Sequence, residues 1–206
     1  MSAATRRTDQ IAAALGQEIL SGILLPGSKL PSDTHLCQRF GVSRTILREA
    51  FRLLTAKGLL VARPRIGTLV AEKAAWALWD QDMLHWRVAA GQGAALVTEI
   101  HDIRIALEPS LAALAANRAD MQANQALQTA LRALEAEPQA EATFLAALYA
   151  ASGNSMAAAA VHLAQWAVSQ RAAPLPLTAY RQATAAIAQK QPSAARQAIL
   201  AALIAD

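Results

Sequence analysis

Ser43, Arg44, Thr45 and Arg48 bring two hydroxyls and two guanidiniums to the start of one short amphipathic run, and Arg63 and Arg65 add two more guanidiniums shortly after it. As a set these are hydrogen-bond donors and cations, suited to phosphates and to the acceptor edges of bases. A guanidinium in particular presents a planar fork that matches a phosphate or a guanine edge. Arg44, Thr45 and Arg48 fall in the first turns of a predicted helix, while Ile46, Leu47, Ala50, Phe51 and Leu54 recur at helical spacing on its other face. Ser43 is a good N-cap, and Gly41 can supply the positive φ of a tight turn after a preceding helix. Two short helices joined this way, the second opening on a hydroxyl and a cation, form a helix-turn-helix that can lay its second helix in the major groove of duplex DNA.

The elements that must hold these groups can be read on either side. An amphipathic helix is predicted over residues 8–22, with Ile11, Leu15, Ile19 and Leu20 on one stripe and Gly22 at its end, followed by a turn at Leu25, Pro26 and Gly27. Ser32 and Asp33 begin a helix over 33–40, the recognition helix runs over about 43–57, and Gly58 stops it. Two β-type segments, 59–63 and 68–70, flank Pro64, Arg65, Ile66 and Gly67 and predict a hairpin with Arg63 and Arg65 at its tip. Placed directly after a recognition helix, such a basic hairpin is a wing able to reach phosphates or a minor groove.

Charge separates the chain into two parts. Residues 1–72 hold ten Lys/Arg against five Asp/Glu, a net of +5, and residues 73–206 hold nine against ten, a net of −1. The first part suits a polyanionic partner. Ala and Leu richness favours helix throughout. The one cysteine, Cys37, excludes an intramolecular disulfide and a cysteine zinc cage, and its apolar surroundings predict a buried thiol. No uncharged apolar run of spanning length and no signal-peptide core appears, so a cytoplasmic protein with no membrane partner is expected. No Gly-rich phosphate loop, nucleophile elbow or clustered His/Asp/Glu set is present, which argues against an enzyme.

Residues 74–90 predict a linker helix carrying Trp76, Trp79 and Trp86 among Leu78, Met83 and Leu84. Three such large apolar side chains should be buried, packing the linker between domains. Helices are then predicted over 94–117, 121–136, 138–151, 155–171, 176–190 and 193–205, with breaks at Asn117, Pro138, Gly153 and Asn154, Pro174 and Pro176, and Pro192. The fold class is mainly α: a winged helix-turn-helix over 8–72, a linker over 73–93, and an all-α bundle over 94–206.

The segments GILLPGSKLPSD, FGVSRTILREAFRLLTAKGLL and RPRIGTLV together resemble the DNA-binding domain of the GntR family of bacterial transcription regulators. That resemblance implies DNA contacts at Arg44, Thr45 and Arg48 and at the wing around Arg65 and Gly67, to which the residue pattern adds Ser43 at the helix start and Arg63 on the hairpin. It also implies an arginine in the preceding helix where this chain has Thr34, with His35 and Arg39 as neighbouring substitutes. WALWDQDMLHW, the run from Ile103 to Pro109, the Ala-Ser-Gly-Asn at 151–154 and AIAQKQPSAARQAIL resemble the FadR-type (FCD) effector domain, most closely that of sugar-acid catabolism regulators. Many such domains bind a divalent metal through one carboxylate and three histidines. The corresponding positions here are Glu141, Leu145, Tyr180 and Ala202, and His85, His101 and His162 do not restore the set, so no metal is expected. Arg104, with Glu108 one turn on, is either a structural ion pair or a clamp for a carboxylate effector, and Asn154, Trp166, His162 and Tyr180 are further candidate contacts. A homodimeric repressor on an operator is expected, sensing a small carboxylate such as a sugar acid. The alternative is a regulator whose helical domain only dimerises.

Overall fold

In a computed structural model, residues 3–171 and 176–204 are described, and they form two compact units, Met1–Leu96 and Val97–Asp206. Pro174 and the last residue of the helix expected over 193–205 lie outside the described residues.

The first unit contains α1 (Ala3–Leu20), α2 (Asp33–Phe40), α3 (Arg44–Ala56), the strands β1 (Leu60–Arg63) and β2 (Gly67–Val70), and α4 (Gln81–Arg87). α1 starts five residues earlier than its apolar stripe predicts, because residues 3–7 hold no helix breaker. It stops at Leu20, where the Ser21 hydroxyl donates to the Glu18 carbonyl at 3.3 Å. Ile11, Leu15 and Ile19 of α1 pack with Leu36, Leu47, Leu54, Leu59 and Val70 in one core. Cys37 is only half-buried at the edge of that core, so the expectation of a buried thiol is corrected: its helix is amphipathic and Leu36 takes the inward position.

Local caps fix the helix pair. Ser32 accepts from the His35 amide at 3.3 Å, and Gly41 takes the left-handed conformation (φ 63°, ψ 42°) that turns α2 into α3. α3 ends at Ala56, and two residues on lies Gly58, whose φ is 72° and where a Cβ would sit 1.9 Å from the Ala75 carbonyl oxygen. Both conformation and space demand glycine there. Gly58→Ala should therefore destabilise the unit by about 3 kcal/mol or more, read from denaturant unfolding.

β1 and β2 pair antiparallel in the register Leu60 with Val70 and Arg63 with Gly67. A third strand-like edge, residues 27–30, docks on β2. The Gly27 amide donates to the Val70 carbonyl (2.9 Å), the Val70 amide to the Ser28 carbonyl (2.9 Å) and the Leu30 amide to the Thr68 carbonyl (3.0 Å).

The tryptophan segment is not one helix over 74–90. A 3-10 turn (Lys73–Ala75) and an irregular stretch precede α4, because the Asp80 carboxylate accepts from the Asp82 and Met83 amides (2.9 and 3.2 Å) and starts a new helix there. The Lys57 ammonium, 23 residues away in sequence, holds the same carboxylate at 2.6 Å. Met83 and Trp86 enter the first unit's core, and Trp86 lies so close to α1 that a Cβ on Gly16 would fall 2.4 Å from its ring. The Trp76 indole is half-buried and donates to the Ala71 carbonyl at 3.0 Å. Trp79, expected buried, is 52% exposed, since it precedes the Asp80 cap on the outer side of the irregular stretch.

The second unit is all helix: α5 (Gly93–Arg118, which runs across the boundary), α6 (Met121–Ala136), α7 (Glu141–Ala151), α8 (Ser155–Ser169), α9 (Leu177–Ala188) and α10 (Pro192–Ile204). Its core is alanine-rich, with Ala112, Ala115, Ala130, Ala183 and Ala195 letting the helices approach around Phe144, Leu148, Ile187 and Leu203. Pro138 opens a separate 3-10 turn (Pro138–Ala140), so α7 begins three residues later than expected. Among the described residues no helix is long and apolar enough to cross a membrane.

Candidate nucleic-acid interface

Ser43 places the start of α3 by accepting from the Ile46 amide at 3.4 Å. The helix then divides as its sequence pattern requires. Leu47, Ala50 and Leu54 are buried, Ile46 and Phe51 are half-buried, and Arg44, Thr45 and Arg48 are exposed. The exposed side chains share the N-terminal turns, where free amides and the helix dipole add partial positive charge.

These guanidiniums differ from Arg39, Arg52 and Lys57 of the same unit in having no ion-pair partner among the described residues, a property that Arg6 and Arg7 near the start of α1 share. Arg39 is paired with Glu18 (its Nη1 lies 3.1 Å from Oε2) and stacks on Phe40, Arg52 pairs with Glu49 at 2.6 Å, and Lys57 bridges Asp80 and Asp82. Arg44, Arg48, Arg63 and Arg65 make no ion pair among the described residues. Their charges are left for an external anion. Thr34 is exposed and its neighbour Arg39 is committed to Glu18, while His35 is exposed.

At the wing tip Arg65 adopts φ 63°, a conformation L-residues other than Asn, Asp and Gly seldom hold, and Ile66 beside it is 53% exposed. A strained cationic residue at an exposed tip suggests a use for the guanidinium that outweighs its cost. Arg65→Gly separates the two. Thermal unfolding should show a gain of about 0.5–1 kcal/mol, whereas affinity for duplex DNA should fall in a salt-dependent way.

In the second unit the residues considered for an effector are dispersed among different tasks. Arg104, on α5, sends Nε to Glu108 Oε1 (2.7 Å) and Nη2 to Oε2 (3.3 Å), and both residues are buried. Burial works against the Arg104 charge, but the adjacent Glu108 carboxylate more than compensates, so the guanidinium stays protonated. Tyr149 of α7 donates to Glu108 Oε1 at 3.2 Å. Tyr180 of α9 donates to Glu141 Oε1 at 2.6 Å, and Arg171 approaches the same oxygen at 3.2 Å. Burial and the neighbouring carboxylates raise both tyrosines, keeping their hydroxyls as donors. Asn154 caps α8 by accepting from the Met156 and Ala157 amides, Trp166 is half-buried, and His162 is half-buried. Tyr149 was not singled out from the sequence, although its spacing of two helical turns from Glu141 places it on the same face of α7.

Glu141, Leu145, Tyr180 and Ala202, the positions set against the metal ligands of FadR-type domains in the sequence analysis, do not fit a divalent ion. Leu145 and Ala202 are buried and apolar, and Glu141 already accepts from a phenol and a guanidinium. No group of three or more His, Cys, Asp or Glu able to hold a metal occurs among the described residues.

A capped helix pair, an exposed cationic first turn and a following basic hairpin define a winged helix-turn-helix DNA-binding domain. Residues 7–70 match the profile of bacterial regulatory proteins of the gntR family. The galactonate operon transcriptional repressor of Escherichia coli (strain K12) is 35% identical over 138 residues, 67% of this chain and 60% of that protein. An uncharacterized HTH-type transcriptional regulator of the same strain, YieP, is 42% identical over 106 residues, 52% of this chain and 46% of that protein. Among solved structures, Streptococcus agalactiae GntR shares 26% identity with a TM-score of 0.53, covering 96% of this chain and 98% of that one. Residues 7–70 are therefore a DNA-binding domain of the GntR family. The chain spans about half to three fifths of the length of the two curated relatives.

Proposed function

We propose that the protein is a transcription repressor that binds a two-fold operator as a homodimer and is not an enzyme. The observation that carries this is the set of four exposed guanidiniums, Arg44, Arg48, Arg63 and Arg65, gathered on the recognition helix and wing with no ion pair among the described residues. Arg44, Thr45 and Arg48 read base edges, Ser43 holds the helix start, and Arg63, Arg65 and Gly67 approach the backbone or minor groove. A single domain of this size buries too little DNA for operator-level affinity, which is the reason for two copies. Selection of bound duplexes from a random pool by the full chain tests the reading. An enriched inverted repeat is expected, and recovery of no sequence above background would contradict it.

For the helical unit the geometry favours a dimerisation scaffold without a resident metal. Arg104, the side chain best suited to clamp a carboxylate, already has its fork on Glu108. The second reading, a sensor of a small carboxylate such as a sugar acid, draws on the galactonate operon repressor among the relatives. Galactonate and other sugar acids distinguish the two in a thermal-shift series, because a ligand of the folded state must raise its melting temperature. The scaffold reading expects no shift.

A further inference from the structure

We propose that Lys29 and Arg63 form a seat for a DNA backbone phosphate on the outer face of the wing, with Gly67 as its floor. The proposal rests on the duplex-binding reading above and adds to it a residue from outside the helix-turn-helix and the hairpin.

The wing's register supplies the geometry. Leu60 pairs with Val70, and both are buried, so their face is the inner one. Arg63 pairs with Gly67 one position out of phase with that face, and side chains alternate along a strand, so both belong to the outer face. Lys29 is bridged to Leu69, which lies two residues from Gly67 and therefore on the same side. The three positions thus form a diagonal row across three adjacent strands: cation, glycine, cation. All three residues are exposed.

The Lys29 stem lies over the glycine. A Cβ built on Gly67 would stand 3.1 Å from Lys29 Cε and 3.7 Å from Nζ, so any larger residue there would push the ammonium away. Arg63 and Lys29 start about 12 Å apart, two strand spacings across and two residues along, and their long side chains can converge on one anion above the bare backbone between them. Neither makes an ion pair among the described residues. A phosphodiester fits this row, since it brings one negative charge on a narrow backbone that a glycine floor admits.

The test is a salt titration of binding to a short random-sequence duplex, which reads phosphate contacts without needing the operator. Lys29→Gln should weaken binding by about three- to tenfold at low salt and reduce the slope of log K against log salt by about 0.9, the release of one phosphate contact. Lys29→Arg should restore both. Arg196→Gln removes an equal charge from an exposed position on α10 and should change neither. Unfolding curves of the three variants should overlay the wild type. If Lys29→Gln keeps the wild-type slope, or if Arg196→Gln lowers it equally, the seat is wrong while duplex binding stands. If the wild-type chain binds no duplex at low salt, the duplex-binding reading fails and the seat with it.

Discussion

Arg44→Ala combined with Arg48→Ala should abolish operator binding while leaving the fold and the oligomeric state intact. Each bidentate contact to a guanine edge contributes about 1–3 kcal/mol of discrimination. Losing two therefore corresponds to about 2–6 kcal/mol, roughly thirtyfold to more than ten-thousandfold in affinity. Both side chains are exposed and make no ion pair among the described residues, so folding stability should move by no more than about 0.5 kcal/mol. Anisotropy titration of a selected duplex and a melting curve report the two quantities separately. Unaltered affinity would remove α3 from the interface, and a collapsed melting curve would show that these arginines hold the fold together.

The second large effect lies in the helical unit. Arg104→Met should cost about 3–5 kcal/mol, because it leaves the fully buried Glu108 side chain without its charge partner. Glu108→Leu should be comparably costly for the same reason seen from the other side. The double variant Arg104→Met, Glu108→Leu should recover most of this loss, short of about 1 kcal/mol for the Tyr149 hydroxyl left without its acceptor. Denaturant unfolding of the four proteins gives the coupling energy directly. If the unit is a scaffold, the stable double variant also keeps full duplex affinity. If single and double losses simply add, the pair is not the closed unit its geometry indicates.

How much of this was legible in the chain depends on how local each cause is. α3 was readable almost to the residue, since its start at Ser43 and its stop at Gly58 are decided by side chains within or beside it. The register of the wing follows from a short loop between two short strands. Residues 27–30 carry no strand signal, because Pro26, Gly27 and Pro31 suppress strand propensity, and only hydrogen bonds to Thr68 and Val70 show the added edge. The tryptophan segment has the composition of a continuous helix but does not form one. Its interruption depends on Asp80, which caps α4 and is held by Lys57 from a distant part of the sequence. Indole count signalled burial for all three tryptophans, yet the inner face had room for Trp86 and part of Trp76 only.

The same division holds for the two candidate sites. Exposure of Arg44, Thr45 and Arg48 followed from helical periodicity, because the apolar stripe leaves them no other face. That Arg39 would be committed to Glu18 depends on two helices meeting, and nothing in the spacing of either indicates it. In the helical unit Arg104 and Glu108 are one turn apart and visibly able to pair. The hydroxyls of Tyr149 and Tyr180 reach the carboxylates only through the packing of α7 and α9.

The most direct test of the account is the affinity of the wild-type chain for a selected duplex, measured by anisotropy across a salt series. Saturable binding with a steep loss as salt rises, at about 0.9 in slope per neutralised phosphate, and a clear preference over random sequence are the results expected. Binding that is absent at low salt, or equally weak for every duplex, would contradict the assignment of these guanidiniums to DNA.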